Sequence, residues 1–277
     1  MTEYLLYLAL VAYFGATALW LAYFLAQWEP LTRYGAWTMA AGLACHTLVL
    51  ISRTWVFGYL PVAVFGGTLL LFDWVLVAAF LLLNWRYPIR VLGALVGPLA
   101  ALMIYGAIVL PQGQAGAISP LLQGFWLTTH IVLALAGFAA LTLNFLGGIF
   151  YLIQERQLKA KRFGFFYRRL PSLQQLDTLN YWCLTIGFPL LTGGMITGSL
   201  YAQHTLGRFW SWDPKEILTL LAWLIYAVLL HERLTVGWRG RRAAWLAILG
   251  FLVLLITFVG ANLWMSGYHS FSKFVQP

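Results

Sequence analysis

Eight long apolar stretches constrain this chain more than any other feature of its sequence. A transmembrane helix needs about 20 predominantly apolar residues, and a helix satisfies every backbone group inside lipid. The stretches lack the alternation typical of membrane-barrel strands. We therefore predict an all-α, polytopic integral membrane protein, a helical bundle with about eight transmembrane helices in a single membrane domain, residues 1–277. The predicted spans lie near residues 4–27, 36–56, 61–84, 88–110, 122–154, 176–203, 214–236 and 241–267.

The composition excludes a soluble domain and several kinds of site. Of the 277 residues, 62% are hydrophobic and 9% are charged, whereas soluble domains carry about 25% charged residues. The two cysteines, Cys45 and Cys183, both lie in apolar stretches, which argues against a structural disulfide and against a zinc site. The sequence contains no CxxCH motif, so it carries no c-type haem attachment site of its own.

The Lys and Arg residues predict the orientation of the spans. Loops that follow odd-numbered spans hold 13 of the 17 basic residues, and the positive-inside rule places such loops in the cytoplasm. Both termini and the segment 204–216 then face outward. The first stretch begins at Tyr4 without a basic region before it, so we predict a retained span rather than a signal peptide. The net charge of +9 is thus a topology signal, and no nucleic acid is expected as a partner.

The segment HTLGRFWSWDPKE, residues 204–216, is the least ordinary part of the chain, and we call it the Trp-rich segment. It joins the sixth and seventh predicted spans on the outer face. Trp210 and Trp212 bring two large, flat, apolar rings to this level. A planar macrocycle could lie on such rings, with Arg208 or Lys215 near its carboxylates. The pattern is therefore compatible with a ligand site.

The same segment also has a purely structural interpretation. Asp213 can cap the next helix, Pro214 suits the first helical position, and Glu216 can reach back to complete a capping box. Tryptophan is in addition common at membrane interfaces. The residues by themselves leave the two interpretations open.

Two of the five histidines lie at the same predicted level as the Trp-rich segment. His130 lies near the outer start of the fifth span, and His269 lies at the outer end of the eighth. Two imidazoles from different helices, on either side of an aromatic surface, suit axial ligation of haem iron. The alternative for each histidine alone is a hydrogen-bonding residue at the interface.

The other histidines differ in depth. His46 lies in the middle of the second span and Asp73 in the middle of the third, and ionisable groups at this depth are usually functional or paired. His46 is therefore either a haem ligand or a partner of Asp73. His231 lies in the cytoplasmic half of the seventh span, where a functional role and a helix-end role are both open. For His204 we favour a solvated loop residue.

At these residues the chain resembles the cytochrome c assembly proteins of the CcsA/ResC type, which share a Trp-rich "WWD" segment with other haem-handling proteins. The match runs through WSWDPKEILTLLAWLIYAVLLHER and RGRRAAWLAILGFLVLLITFVGANLWMSGYHS. A weaker match covers HTLVLISRTWVFGYLP and WLTTHIVLALAGFAAL. The resemblance spans residues 40–270, and its second half is the specific part.

The resemblance implies that haem is held on the outer face between two histidines and the Trp-rich segment. His130 and His269 match the outer histidines and would bind the haem iron. His231 matches a membrane-embedded histidine implicated in an inner haem site. The further matching positions are Trp210, Trp212, Asp213 and His46.

The resemblance also implies a function. It is the delivery of transiently bound haem b to the CxxCH segment of an apocytochrome c, together with a CcsB/ResB-type membrane subunit. The chain would be a subunit of a haem lyase rather than a self-sufficient enzyme, embedded in the lipid of a bacterial cytoplasmic membrane or a thylakoid. Leu206 before Gly207, where the family often has Trp, and VAVFGGT after Pro61 depart from the family pattern. The alternatives are a HemX-like or YpjD-like accessory protein of haem metabolism, and a haem transporter without ligation chemistry.

Overall fold

A computed structural model describes residues 2–62, 64–110, 124–161 and 163–263. Every regular element in these ranges is helical, and eight helices are long and apolar enough to cross a membrane. This confirms the predicted all-α membrane protein. The helices are α1 (Thr2–Ala26), α2 (Pro30–Phe57), α3 (Phe65–Arg86), α4 (Gly93–Val109), α5 (Phe125–Lys159), α6 (Phe165–Arg169), α7 (Leu173–Leu206), α8 (Pro214–Thr235) and α9 (Arg241–Leu263), with a short 3₁₀ turn, Arg90–Leu92, before α4.

The chain divides into two compact units, residues 1–122 and residues 123–277. In the first unit α1 packs on α2 and α4, and α3 also packs on α2 and α4, so the four long helices contact one another in a ring. In the second unit α5 packs on α7 and α9, and α8 packs on the same two helices. The single membrane domain predicted for the whole chain stays a prediction.

Aromatic side chains of α1 fill the first unit by lying against the backbone of α2. Tyr13 and Trp20 are both fully buried. A Cβ atom added to Gly42 would lie 2.7 Å from Cε1 of Tyr13, and one added to Gly35 would lie 3.0 Å from Cε2 of Trp20. Small residues allow this close approach, which supplies the packing contacts that hold helices together in lipid.

Two helices of the second unit are longer than a membrane requires. Helices α5 and α7 contain 35 and 34 residues, about 50 Å each, whereas the hydrocarbon core is about 30 Å thick. The predicted spans, 122–154 and 176–203, were shorter. Local capping explains the extra length of α7, because the Oγ atom of Ser172 accepts a hydrogen bond from the Gln175 amide at its start, and Gly207 ends it at φ 70°.

Candidate functional site

The Trp-rich segment is held in shape by the side chain of Glu216, in the first turn of α8. One carboxylate oxygen accepts the Ser211 amide at 2.8 Å and the Asp213 amide at 3.3 Å, and the other accepts the Ser211 hydroxyl at 2.9 Å. The Asp213 carboxylate in turn accepts the Lys215 amide at 2.9 Å. The predicted capping box, with Pro214 at the first helical position, is thus confirmed.

The two tryptophans of the segment stand at a right angle to each other. The ring centroids of Trp210 and Trp212 are 6.1 Å apart and the ring planes differ by 84°. Trp212 has φ 56°, a left-handed conformation that costs a non-glycine residue about 1–2 kcal/mol. The bonds from Ser211 and Asp213 to Glu216 hold the chain on both sides of it. With this angle between the rings, a planar ligand that stacked on one ring would meet the other at its edge.

Trp210 closes an apolar groove on α7. The groove has a volume of about 320 Å³, and the Nε1 atom of Trp210 has no hydrogen-bond partner among the described residues. Trp212, in contrast, is 71% exposed. The walls of this groove are mostly apolar, and Ser199 is the polar residue among them. The groove is lined by Met195, Ile196, Ser199, Leu200, Phe209 and Trp210.

His130 is fixed by the backbone of α7. It lies half-buried in the second turn of α5, and its Nδ1 atom is 2.7 Å from the carbonyl oxygen of Gly194. A carbonyl oxygen only accepts, so Nδ1 carries the proton. In neutral imidazole the lone pair is then on Nε2, which is the arrangement found in metal-binding histidines whose other nitrogen donates to a carbonyl group.

His130 and the groove lie at one level of α7 but on different sides of it. His130 contacts the face that carries Gly194 and Gly198, whereas Met195, Ile196, Ser199 and Leu200 line the groove. At 3.6 residues per turn, the centres of these two sets lie about 150° apart around the helix axis. The structure therefore brings Trp210 to the depth of His130 without bringing the two side chains together.

The remaining basic residues of the predicted site lie at the edges of the Trp-rich segment. Arg208 is exposed and Lys215 is half-buried. His204 is exposed in the last turn of α7 rather than in a loop, because that helix extends to Leu206. His269 lies outside the described residues, so its pairing with the other outer histidine stays a prediction.

His46 lies in the core of the first unit. It is fully buried, with Nδ1 at 3.2 Å from the hydroxyl oxygen of Tyr13 and at 4.0 Å from Oδ2 of Asp73. Asp73 is also fully buried. The His46 ring is hydrogen-bonded to Tyr13 and lies beside Asp73 without a hydrogen bond to it, so both interpretations of His46 stay predictions.

His231 lies near the other end of α8, about 25 Å along the helix from Pro214. Its side chain is exposed. Two residues away, Leu229 faces the interior of the unit, so His231 is on the opposite side of the helix. Its predicted role at an inner haem site stays a prediction.

An ion pair that the sequence does not predict lies near that end of α8. The guanidinium group of Arg233 donates to both carboxylate oxygens of Asp177, at 3.1 and 2.6 Å, and to the Asp177 carbonyl oxygen at 3.0 Å. The same carboxylate accepts the Gly240 amide at 3.0 Å. It ties the start of α7 to the α8–α9 connection. The two partners are 56 residues apart, so no local spacing signals their contact.

Comparisons with known proteins agree with this architecture. The curated relatives include "Cytochrome c biogenesis protein CcsA" of Guillardia theta, 34% identical over 249 residues that cover 83% of each chain. CcsA of Prochlorococcus marinus (strain NATL2A) is 33% identical over 258 residues, covering 82% of this chain and 81% of the relative.

A solved structure shows the same fold. "Cytochrome c Heme Lyase CcmF" matches with a TM-score of 0.67 at 18% identity, and covers 94% of this chain and 46% of that chain. This chain thus spans just under half the length of that protein. The likeness concerns the fold alone. Residues 63–269, which include the Trp-rich segment, match the family described as "Cytochrome C assembly protein", and the chain belongs to that family.

Proposed function

We propose that this chain holds haem b at the outer face of its membrane for transfer to an apocytochrome c. His130 and His269 would bind the iron from two sides, and the Trp-rich segment would cover the macrocycle. The observation that carries the proposal is the hydrogen bond from Nδ1 of His130 to the Gly194 carbonyl oxygen. It places the proton on Nδ1 and the lone pair on Nε2, and neutral imidazole is a common ligand of haem iron.

The donor set fits haem in two respects. His130 provides an imidazole in the required tautomer, and the groove beside Trp210 provides apolar, aromatic walls. Arg208 and Lys215 border the segment and would attract the propionate groups. Because the groove and His130 lie on different sides of α7, the Trp-rich segment must shift around this helix for one macrocycle to contact both. Such a shift would take place in the non-helical residues 207–213 and would break the hydrogen bonds from Ser211 and Asp213 to Glu216.

In the proposed reaction this chain positions the haem for its partner. A CcsB/ResB-type subunit would bring the CxxCH segment to the haem, and each cysteine S–H would add across a vinyl C=C bond to give a thioether, with no net oxidation. Holding the two reactants in contact lowers the entropic part of the barrier. The CcsA names of the relatives favour this role over a HemX-like accessory role. The location is a bacterial cytoplasmic membrane or a thylakoid.

An absorption spectrum tests the proposal. The full-length protein, expressed with ample haem and purified in detergent, should show a bis-histidine haem band. His130→Ala and His269→Ala should each lose this band. His204→Ala is the matched control, because this exposed histidine belongs to the last turn of α7 and not to the non-helical residues 207–213 that carry both tryptophans, and it should keep the band. Haem-free wild-type protein, or equal loss in the control, would show that the proposed site is wrong.

A further inference from the structure

His130 contacts two glycines of α7, and this contact adds residues to the proposed site that do not touch the haem themselves. We infer that Gly194 and Gly198 are positioning residues that hold the His130 imidazole in one tautomer and one ring orientation. The inference rests on the proposed function, in which this imidazole binds haem iron. Helix α7 then has a role of its own at the proposed site, which is to hold the His130 imidazole in place.

The carbonyl oxygen of Gly194 selects the tautomer. It receives the Nδ1–H group of His130 at 2.7 Å and the Thr197 hydroxyl at 3.1 Å. The other tautomer would bring the Nδ1 lone pair against the carbonyl oxygen, and the repulsion between two acceptors disfavours it. The bond therefore places the lone pair on Nε2, as required of a metal ligand.

Gly198 supplies the space for the ring. A Cβ atom added to Gly198 would lie 2.7 Å from Nδ1, 2.9 Å from Cε1 and 3.4 Å from Cγ of His130. The imidazole thus lies directly against the α7 backbone. Any side chain at this position would push the ring away from the Gly194 carbonyl oxygen.

The two glycines act together because they are one helical turn apart. Residues at i and i+4 share a face of a helix, so Gly194 and Gly198 form one flat strip. A Cβ atom added to Gly194 would lie 3.0 Å from both the Cα and the N atom of Ala134, so α5 and α7 are in backbone contact here. This contact sets the distance between the imidazole and its acceptor.

The tautomer can be measured in the wild-type protein without haem. ¹⁵N-histidine NMR of the full-length chain in detergent, at mildly alkaline pH where imidazole is neutral, distinguishes protonated from unprotonated ring nitrogens. The His130→Gln variant assigns the signal. We expect a protonated Nδ1 and an unprotonated Nε2. A protonated Nε2, or averaging between both tautomers, would overturn the inference.

Two glycine-to-alanine variants test the space beneath the imidazole ring. Gly198→Ala should lower the affinity for added haem by about 10–100-fold, the usual cost of disturbing a residue that orients a metal-binding histidine. It should also shift the haem reduction potential and abolish the single tautomer. Gly193→Ala is the matched control on the same helix, because among the described residues its added Cβ would meet only Cδ1 of Leu133 at 3.2 Å, the end of a flexible side chain. It should stay near wild type.

The outcomes separate this inference from the proposed function. Wild-type protein that shows the single tautomer but takes up no haem contradicts the function and leaves the positioning of the ring supported. Protein that binds haem equally well with Gly198→Ala contradicts the inference and leaves the function supported. If Gly198→Ala fails to fold, the wild-type NMR measurement still decides between the tautomers.

Discussion

The two units of the molecule are both rings of four long helices, yet they differ in where their histidines and acidic residues lie. The first unit buries His46 and Asp73 together with Tyr13 in its core. The described histidines and acidic residues of the second unit lie toward the ends of its helices, with His130 and Glu216 at one end and the Asp177–Arg233 ion pair at the other. Side chains at helix ends are within reach of haem, partner proteins and water. The proposed haem site is therefore placed in the second unit.

The largest loss of stability is expected when the Asp177–Arg233 ion pair is broken. Asp177→Ala should lower the free energy of unfolding by about 3 kcal/mol, since removing one partner leaves a buried charge uncompensated. Arg233 is only 7% exposed at its side chain. Thermal unfolding in detergent, followed by circular dichroism, measures the change.

Lys159 provides the control for this ion pair. Its side chain is 64% exposed in its pair with Glu155, and such pairs contribute about 0–1 kcal/mol. Lys159→Ala should therefore have a small effect, since Glu155 keeps Arg241 at 3.9 Å. Equal losses in the two variants would show that the Asp177–Arg233 pair does not hold this end of the second unit together.

The next effect is expected at Glu216, which holds the Trp-rich segment. Glu216→Ala removes the acceptor of the Ser211 and Asp213 amides and should cost about 2 kcal/mol, because hydrogen bonds to charged groups are worth about 1.5–3 kcal/mol each and these are partly exposed. Trp212 should then leave its left-handed conformation, which tryptophan fluorescence reports. Ser211→Ala removes only the hydroxyl bond and should cost less. If Ser211→Ala lowers the free energy of unfolding as much as Glu216→Ala does, the hydrogen bonds from the Ser211 and Asp213 amides to Glu216 do not hold the Trp-rich segment.

In the core of the first unit we expect a smaller change of opposite sign, an increase in the free energy of unfolding. Neither carboxylate oxygen of Asp73 has a hydrogen-bond partner among the described residues. Asp73→Asn keeps the size of the side chain and removes a buried ionisable group, so it should raise the free energy of unfolding by up to about 1 kcal/mol. A loss above about 2 kcal/mol would instead identify an ion pair with His46 that stabilises the fold.

The smallest effect is expected for a substitution of His46 in the first unit, which should leave haem binding unchanged. His46→Gln should leave the haem absorption spectrum of the purified protein unchanged, because His46 is fully buried beside Tyr13 and Asp73. His130→Ala is the positive control. Loss of the haem band in His46→Gln would make this histidine a haem ligand and would remove the functional difference between the two units.

Local sequence signals predicted more of the fold than of the site. Each transmembrane span was visible from its apolar residues, and the Asp213–Glu216 capping box was visible from its spacing. The extension of α2 back to Pro30 was missed, because the first turns of that helix are polar and its start is set by a proline at the first position. The Ser172–Gln175 capping box of α7 was missed for the same reason, since it lies outside the apolar stretch.

The sequence by itself determined the membrane class, the number of spans and the start of α8, because each depends on residues that are neighbours along the chain. The tertiary structure alone decided that His130 donates to Gly194 and that Asp177 pairs with Arg233. It also decided that the Trp210 groove and His130 lie on different sides of α7. These contacts depend on how helices distant in sequence are rotated against one another, and glycine-lined packing between α5 and α7 sets that rotation.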